Sequence, residues 1–202
     1  GLIVIEDSAD TLGAKLNGVS SGEYCDMSIT SFYGSHIINC AGNGGALAVN
    51  DKKVLEKAKL LRSWGRSSSL FDEQSESIEN RFNQKIDEID YDSKFIFEEI
   101  GYNLEGSEIG AAFGLVQLKK LASNIKIRQN NFNKLTNFFE KHSELFLLPE
   151  KTEGSDSGWL AFPIMISKNA NFTRKDLQIF LEKNNIQTRV VFTGNITRQP
   201  ML

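Results

Sequence analysis

Short apolar runs alternate with polar turns along this chain, and they predict an α/β fold. Leu2-Ile3-Val4-Ile5 ends abruptly in Glu6-Asp7, the pattern of a strand buried in a mostly parallel sheet. Met27–Phe32 predicts a second strand, and Gly44–Val49 a turn and a third. Asn50-Asp51 caps a helix to about Leu61, with Val54, Leu55, Ala58, Leu60 and Leu61 on one broad face. From Trp64 to about Ser93 the periodicity lapses. Ser67-Ser68-Ser69 and the acidic stretch Asp72–Glu79 are expected in a long exposed loop. Helical spacing returns over Ser107–Leu121. Ile109, Ala112, Phe113, Val116, Leu118 and Leu121 are expected to face inward, and Gly110 and Gly114 to permit close packing. Asn124–Lys141 predicts a second, longer helix with a polar outer face. The tail then reads as a strand over Trp159–Ile166, a helix opened by Asn171 or Thr173 and running to Asn184, and a strand over Gln187–Phe192. This change of pattern places a boundary near residue 140, dividing the chain into 1–140 and 141–202.

Composition narrows the function classes. The 202 residues carry a net charge of −3, with basic and acidic residues interspersed, so no basic patch points to nucleic acid. No apolar run approaches the roughly 20 residues that span a bilayer, and no secretory leader is expected. A reducing cytoplasm is the expected setting. Cys25 and Cys40 are the only cysteines, and neither a CxxC pair nor a Cys/His cluster exists, which leaves a disulfide framework or a structural zinc without ligands. The chain starts directly in an apolar run and stops at Pro200-Met201-Leu202, as expected of a piece of a longer protein.

Four clusters could carry chemistry: Glu6-Asp7-Ser8-Ala9-Asp10; Ser31-Phe32-Tyr33-Gly34-Ser35-His36 with Gly42-Asn43-Gly44-Gly45; Gly101-Tyr102-Asn103 leading to Glu108; and Thr193-Gly194-Asn195 with Arg198-Gln199-Pro200. Each alone has a plain structural reading. Asp7 could cap a helix, the glycines could form a tight turn, and a single histidine is more often structural than catalytic. His142, at a polar helix end, is read in that structural class.

In this order and spacing, the clusters resemble the DegT/DnrJ/EryC1/StrS family of fold-type I pyridoxal-phosphate enzymes. That family carries an E-D-x-A-Q-like strand end, then S-F-x-x-x-K, G-x-G-G, and G-x-N before a glutamate and a helix of small residues. The resemblance spans nearly the whole chain. It implies an aspartate aminotransferase-like fold, with residues 1–140 as the C-terminal part of the large cofactor-binding domain and residues 141–202 as the beginning of the small α+β domain.

Two departures refine the resemblance. His36 stands where most relatives have the cofactor-binding lysine, and Asp10 replaces the common glutamine. Both resemble the 3-dehydratase branch, which removes the C3 hydroxyl of nucleotide-linked 4-keto-6-deoxyhexoses in deoxysugar and O-antigen biosynthesis. Arg62-Ser63-Trp64-Gly65-Arg66 is also similar to that branch. Some of its members bind a [2Fe–2S] cluster through cysteines at the position of Ala9 and in the Ser67–Ile78 loop. This chain has no cysteine there, and no such cluster is expected.

The resemblance implies roles residue by residue. Asp7 holds the cofactor ring nitrogen and Asp10 neighbours the ring. Ser31 and a second subunit's Asn103 hold the cofactor phosphate, which implies a homodimer with a shared active site. His36, unable to tether pyridoxal phosphate, leaves pyridoxamine 5'-phosphate as the resting cofactor and acts as general acid/base. Asn195 and Arg198 are candidate substrate contacts, and glutamate is the expected amino donor. Two other readings remain open here: a nucleotide-sugar aminotransferase of the same family, with Lys52 and Lys53 as the nearest lysines, and a structural or regulatory relative without activity.

Overall fold

A computed structural model of the chain describes residues 1–71 and 78–202. In chain order the elements are β1 (Ile5–Asp7), β2 (Lys15–Leu16), β3 (Val19–Ser20), β4 (Met27–Ser31), β5 (Gly45–Val49), α1 (Lys52–Arg62), α2 (Ile78–Phe82), β6 (Gln84–Ile86), β7 (Ile89–Tyr91), α3 (Glu108–Phe139), β8 (Phe146–Leu147), β9 (Ser155–Asp156), β10 (Met165–Ile166) and α4 (Arg174–Lys183). The α/β class expected from the sequence is what forms.

The sheet that organises the chemistry has the order β1-β4-β5. β1 lies parallel to β4, with Asp7 opposite Ile29, and β5 runs antiparallel to β4, with Gly45 opposite Ser31. β1–β4 is the one parallel pairing among the described residues. The link from β4 to β5 contains no helix, and the chain returns antiparallel. β1 is also less buried than its apolar run predicts: Ile5 is 59% exposed.

Helix ends follow the sequence closely. The Asp51 side chain accepts the Val54 amide and starts α1, whose Leu60 is buried. Thr173 and Asp176 form a reciprocal capping box on α4. Ser107 caps α3 at the Gly110 amide.

Three expectations change. The two helices predicted over 107–141 are one helix of 32 residues. Ser123, read as part of a break, donates its hydroxyl to the Lys120 carbonyl at 2.8 Å and so stays within the helix. The face of α3 expected inward is open, with Ile109 81% exposed and Phe113, Val116 and Leu118 exposed too. The buried positions are Gly110 and Gly114, whose lack of side chain lets the segment after His36 approach the helix backbone.

The second change concerns 64–93. Ser67 and Ser93 are buried, and the Ser67 hydroxyl donates to the Ser93 carbonyl at 3.2 Å. α2 and the β6–β7 hairpin also lie in this stretch. The hairpin strands have three residues each, too short for a readable alternation. Its turn takes left-handed backbone at Asp87 (φ 49°) and Glu88 (φ 65°) without the usual Asn-Gly pair. Most of the acidic stretch Asp72–Glu79 lies outside the described residues.

The third change is in the tail. Of Trp159–Ile166 only Met165–Ile166 is strand, paired antiparallel with β8. The Trp159 and Leu160 carbonyls instead accept from the Arg128 guanidinium on α3 at 3.2 and 3.3 Å, and the Trp159 ring stacks on Phe132 at 3.8 Å. Gln187–Phe192 forms no ladder, and the Thr188 amide donates to the Glu182 carboxylate at 2.5 Å. The tail is also joined to the first 140 residues by β9, which pairs with β2.

Candidate active site

The alternation of side chains along β1 and β4 sorts the polar residues onto two faces. Glu6 sits opposite Ser28, and the Ser28 hydroxyl donates to its carboxylate. Burial pushes the Glu6 carboxyl up, but hydroxyl donors from Ser21, Ser28 and Ser8 outweigh it and hold the group below its ordinary value. Glu6, Ser28 and Thr30 line a cavity of about 360 Å³. Asp7 and Ser31 have the opposite parity, so they share the other face and do not line that cavity.

At the carboxyl end of β1, the Ala9 amide donates to Asp7 Oδ1 at 3.1 Å, leaving the second carboxylate oxygen of this exposed residue available. The Ser31 hydroxyl accepts the Tyr33 amide at 3.2 Å and keeps its own proton to donate. His36 follows in the turn after β4, its amide donating to the Tyr33 carbonyl at 3.0 Å. The next two residues, Ile37 and Ile38, are each 4% exposed and anchor this turn. Cys40 lies against Gly110 and Gly114 of α3, and its amide donates to the Phe32 carbonyl at 3.0 Å.

The turn brings His36 to Asp10. The imidazole Nε2 lies 3.3 Å from Asp10 Oδ1, a close polar contact without linear hydrogen-bond geometry. His36 Nδ1 is buried and has no hydrogen-bond partner. The Tyr33 ring meets the imidazole edge-on, with centroids 5.7 Å apart. Sequence reasoning placed Tyr33 in the same cluster but gave it no role, although a residue three positions earlier in a tight turn is the natural neighbour of His36.

The other predicted residues sit elsewhere on the chain. Asn103 pairs with Ser63 in an isolated antiparallel bridge, in a segment tied to the end of α1. There the Arg62 Nε lies 3.4 Å from a Glu105 oxygen, and the Ser63 hydroxyl donates to the same carboxylate. Asn195 caps a short 3-10 turn, its side chain accepting the Thr197 amide, and Arg198 ends that turn exposed. Among the described residues no hydrogen bond or ion pair joins Asn103, Asn195 or Arg198 to the Asp7–His36 group. Arg66 packs over the Trp64 ring at 4.6 Å, with Phe95 and Phe97 beside it. His142 stands against Phe138, in keeping with its structural reading. Lys52, on the outside of α1, pairs with Glu56 one turn along.

The donor set suits a phosphorylated pyridine cofactor. A carboxylate oxygen at a strand end can meet a protonated ring nitrogen, a free hydroxyl proton can meet a phosphate, and a buried unpartnered imidazole nitrogen can exchange a proton with a group placed beside it. Among the described residues no group of three or more His, Cys, Asp or Glu could hold a metal ion, and no helix is long and apolar enough to cross a membrane.

Comparison with known proteins shows the family. The family description "DegT/DnrJ/EryC1/StrS aminotransferase family" matches residues 1–202. The lipopolysaccharide biosynthesis protein RfbH of Salmonella typhimurium is 34% identical over 98% of this chain and 46% of its own. The dTDP-4-dehydro-2,6-dideoxy-D-glucose 3-dehydratase of Saccharopolyspora spinosa is 35% identical over 98% of this chain and 43% of its own. A solved structure of the E. coli GDP-4-keto-6-deoxy-D-mannose-3-dehydratase with bound hydrated PLP superposes with a TM-score of 0.80 at 26% identity, covering 98% of this chain and 48% of that one. The chain thus spans less than half the length of these relatives.

Proposed function

Because the chain belongs to the DegT/DnrJ/EryC1/StrS aminotransferase family, we propose that its full-length protein is a pyridoxamine-phosphate-dependent 3-dehydratase. Its substrate is a nucleotide-linked 4-keto-6-deoxyhexose, from which it removes the C3 hydroxyl. The observation that carries this reading is His36. It occupies the position that the family's S-F-x-x-x-K spacing gives to lysine, and it presents a buried, unpartnered Nδ1. The names of the relatives, two of them nucleotide-sugar 3-dehydratases, support the same reaction class.

When bound, the cofactor supplies an electron sink next to the substrate's C4 carbon. The chain's own residues do the rest. Asp7 holds the ring nitrogen protonated through its free carboxylate oxygen, and Asp10 stands beside the ring. Ser31 donates its hydroxyl proton to the phosphate, and Asn103 reaches the phosphate of a second subunit in a homodimer. His36 cannot make a stable covalent tether, which leaves it free for proton transfer. With cofactor and substrate bound, its imidazole would accept a proton from the amine-bearing carbon of the cofactor and deliver it to the departing C3 hydroxyl, so that water leaves. Asn195 and Arg198 contact the nucleotide sugar. With no cysteine at position 9 or within 67–78, no cluster-based reduction is assigned, and glutamate is the amino donor that restores the amine after turnover. Residues 1–140 belong to the large domain and 141–202 to the small one.

Assay of the full-length protein with CDP- and GDP-linked 4-keto-6-deoxyhexoses, with and without glutamate, tests this. A 3-deoxy-4-keto product formed repeatedly only with glutamate is expected. A 4-amino sugar that retains its C3 hydroxyl would show an aminotransferase instead.

A further inference from the structure

We infer that Asp10 is a positioning residue for His36, a role beyond standing beside the cofactor; this rests on the dehydratase reading above. The imidazole has two nitrogens, and their surroundings differ. Nε2 lies 3.3 Å from Asp10 Oδ1, and Nδ1 is buried without a partner. A carboxylate beside one ring nitrogen favours the tautomer with its proton there. That leaves the acceptor lone pair on Nδ1, which is buried and makes no hydrogen bond within the protein. The contact joins two segments of different origin, the end of β1 and the turn after β4. Two titratable side chains, Asp10 and Tyr33, lie against the imidazole. Tyr33 meets it in a T-shaped ring contact, and the Asp10 carboxylate is the charged neighbour at Nε2.

Asp10→Asn and Asp10→Ala in the full-length protein test this by two readouts. The first is steady-state kinetics, with pyridoxamine phosphate affinity measured alongside. Both variants should lose about a hundredfold in kcat, the low end of what a well-placed acid/base group contributes. KM should stay within about twofold. The second readout needs no turnover. Diethyl pyrocarbonate acylates neutral imidazole, and peptide mass mapping follows His36 against His142 as internal reference. Freed from Asp10, Nε2 should react severalfold faster in the alanine variant than in the parent. A His36 to His142 ratio that is the same in parent and alanine variant would overturn the inference. So would a loss of cofactor affinity with kcat unchanged, which would leave Asp10 as a ring neighbour alone. If the parent protein dehydrates no 4-keto sugar, the functional reading fails, and the acylation ratio still decides the pairing.

Discussion

The Cys40 thiol fills the space that a side chain on Gly114 would need, and the Cys40 carbonyl lies 3.0 Å from where a Cβ on Gly110 would be. Cys40 is four residues beyond His36, so the glycine face of α3 is the surface on which the histidine's turn rests. Gly114→Ala raises helix propensity by up to about 1 kcal/mol, yet it should destabilise the protein by about 1–3 kcal/mol through overpacking. Cys40→Ala should relieve that cost, giving a coupling of at least about 0.5 kcal/mol in a double-mutant cycle. Chemical unfolding of the four proteins measures it, and additive effects would show that the two residues are not in contact.

His36→Asn should abolish elimination, by at least about a hundredfold, and retain the cofactor. Absorbance of the bound cofactor and a product assay read the two effects separately. His36→Lys should restore a covalent cofactor–lysine adduct, detectable after borohydride treatment as a mass increase on the peptide containing residue 36. A variant with no such adduct would argue against the placement of this residue beside the cofactor.

Gly65 should not tolerate a side chain. Its backbone is left-handed (φ +80°), and a Cβ there would collide with the Glu99 carbonyl. The Glu98 amide donates to the Gly65 carbonyl at 2.8 Å, so the two segments cannot separate freely. Gly65→Ala should cost about 2 kcal/mol or more. An unchanged urea midpoint would contradict the crossing.

Asp92 ties the turn at 93–95 to α2 through Arg81. The Arg81 hydrogen bond is the main cause that lowers its carboxyl to about 2 from an ordinary 3.8. Because the folded value lies below the unfolded one, this contribution is present above about pH 4 and fades as pH falls toward 2. A carboxyl-carbon NMR titration should place the Asp92 midpoint near 2. Asp92→Asn should remove that part of the acid dependence, and a midpoint near 3.8 would refute the pairing.

The sequence alone pointed to the family, to the first strands and the helices at 52–62 and 174–183, and to the caps of those two helices. Asp51, Ser107 and Thr173 each accept from a backbone amide three residues away, and such local chemistry is written in short stretches of chain. The Gly110/Gly114 spacing likewise announced a close approach. The tertiary structure decided what approached. It set Cys40 on that face, left Ile109 open, gave the Trp159 carbonyl to Arg128 in place of a neighbouring strand, and brought Asp10 to His36. Each of these is a meeting of residues far apart in the chain. Periodicity records which face of an element is apolar, but the partner of that face is chosen by chain closure, and no local pattern encodes it.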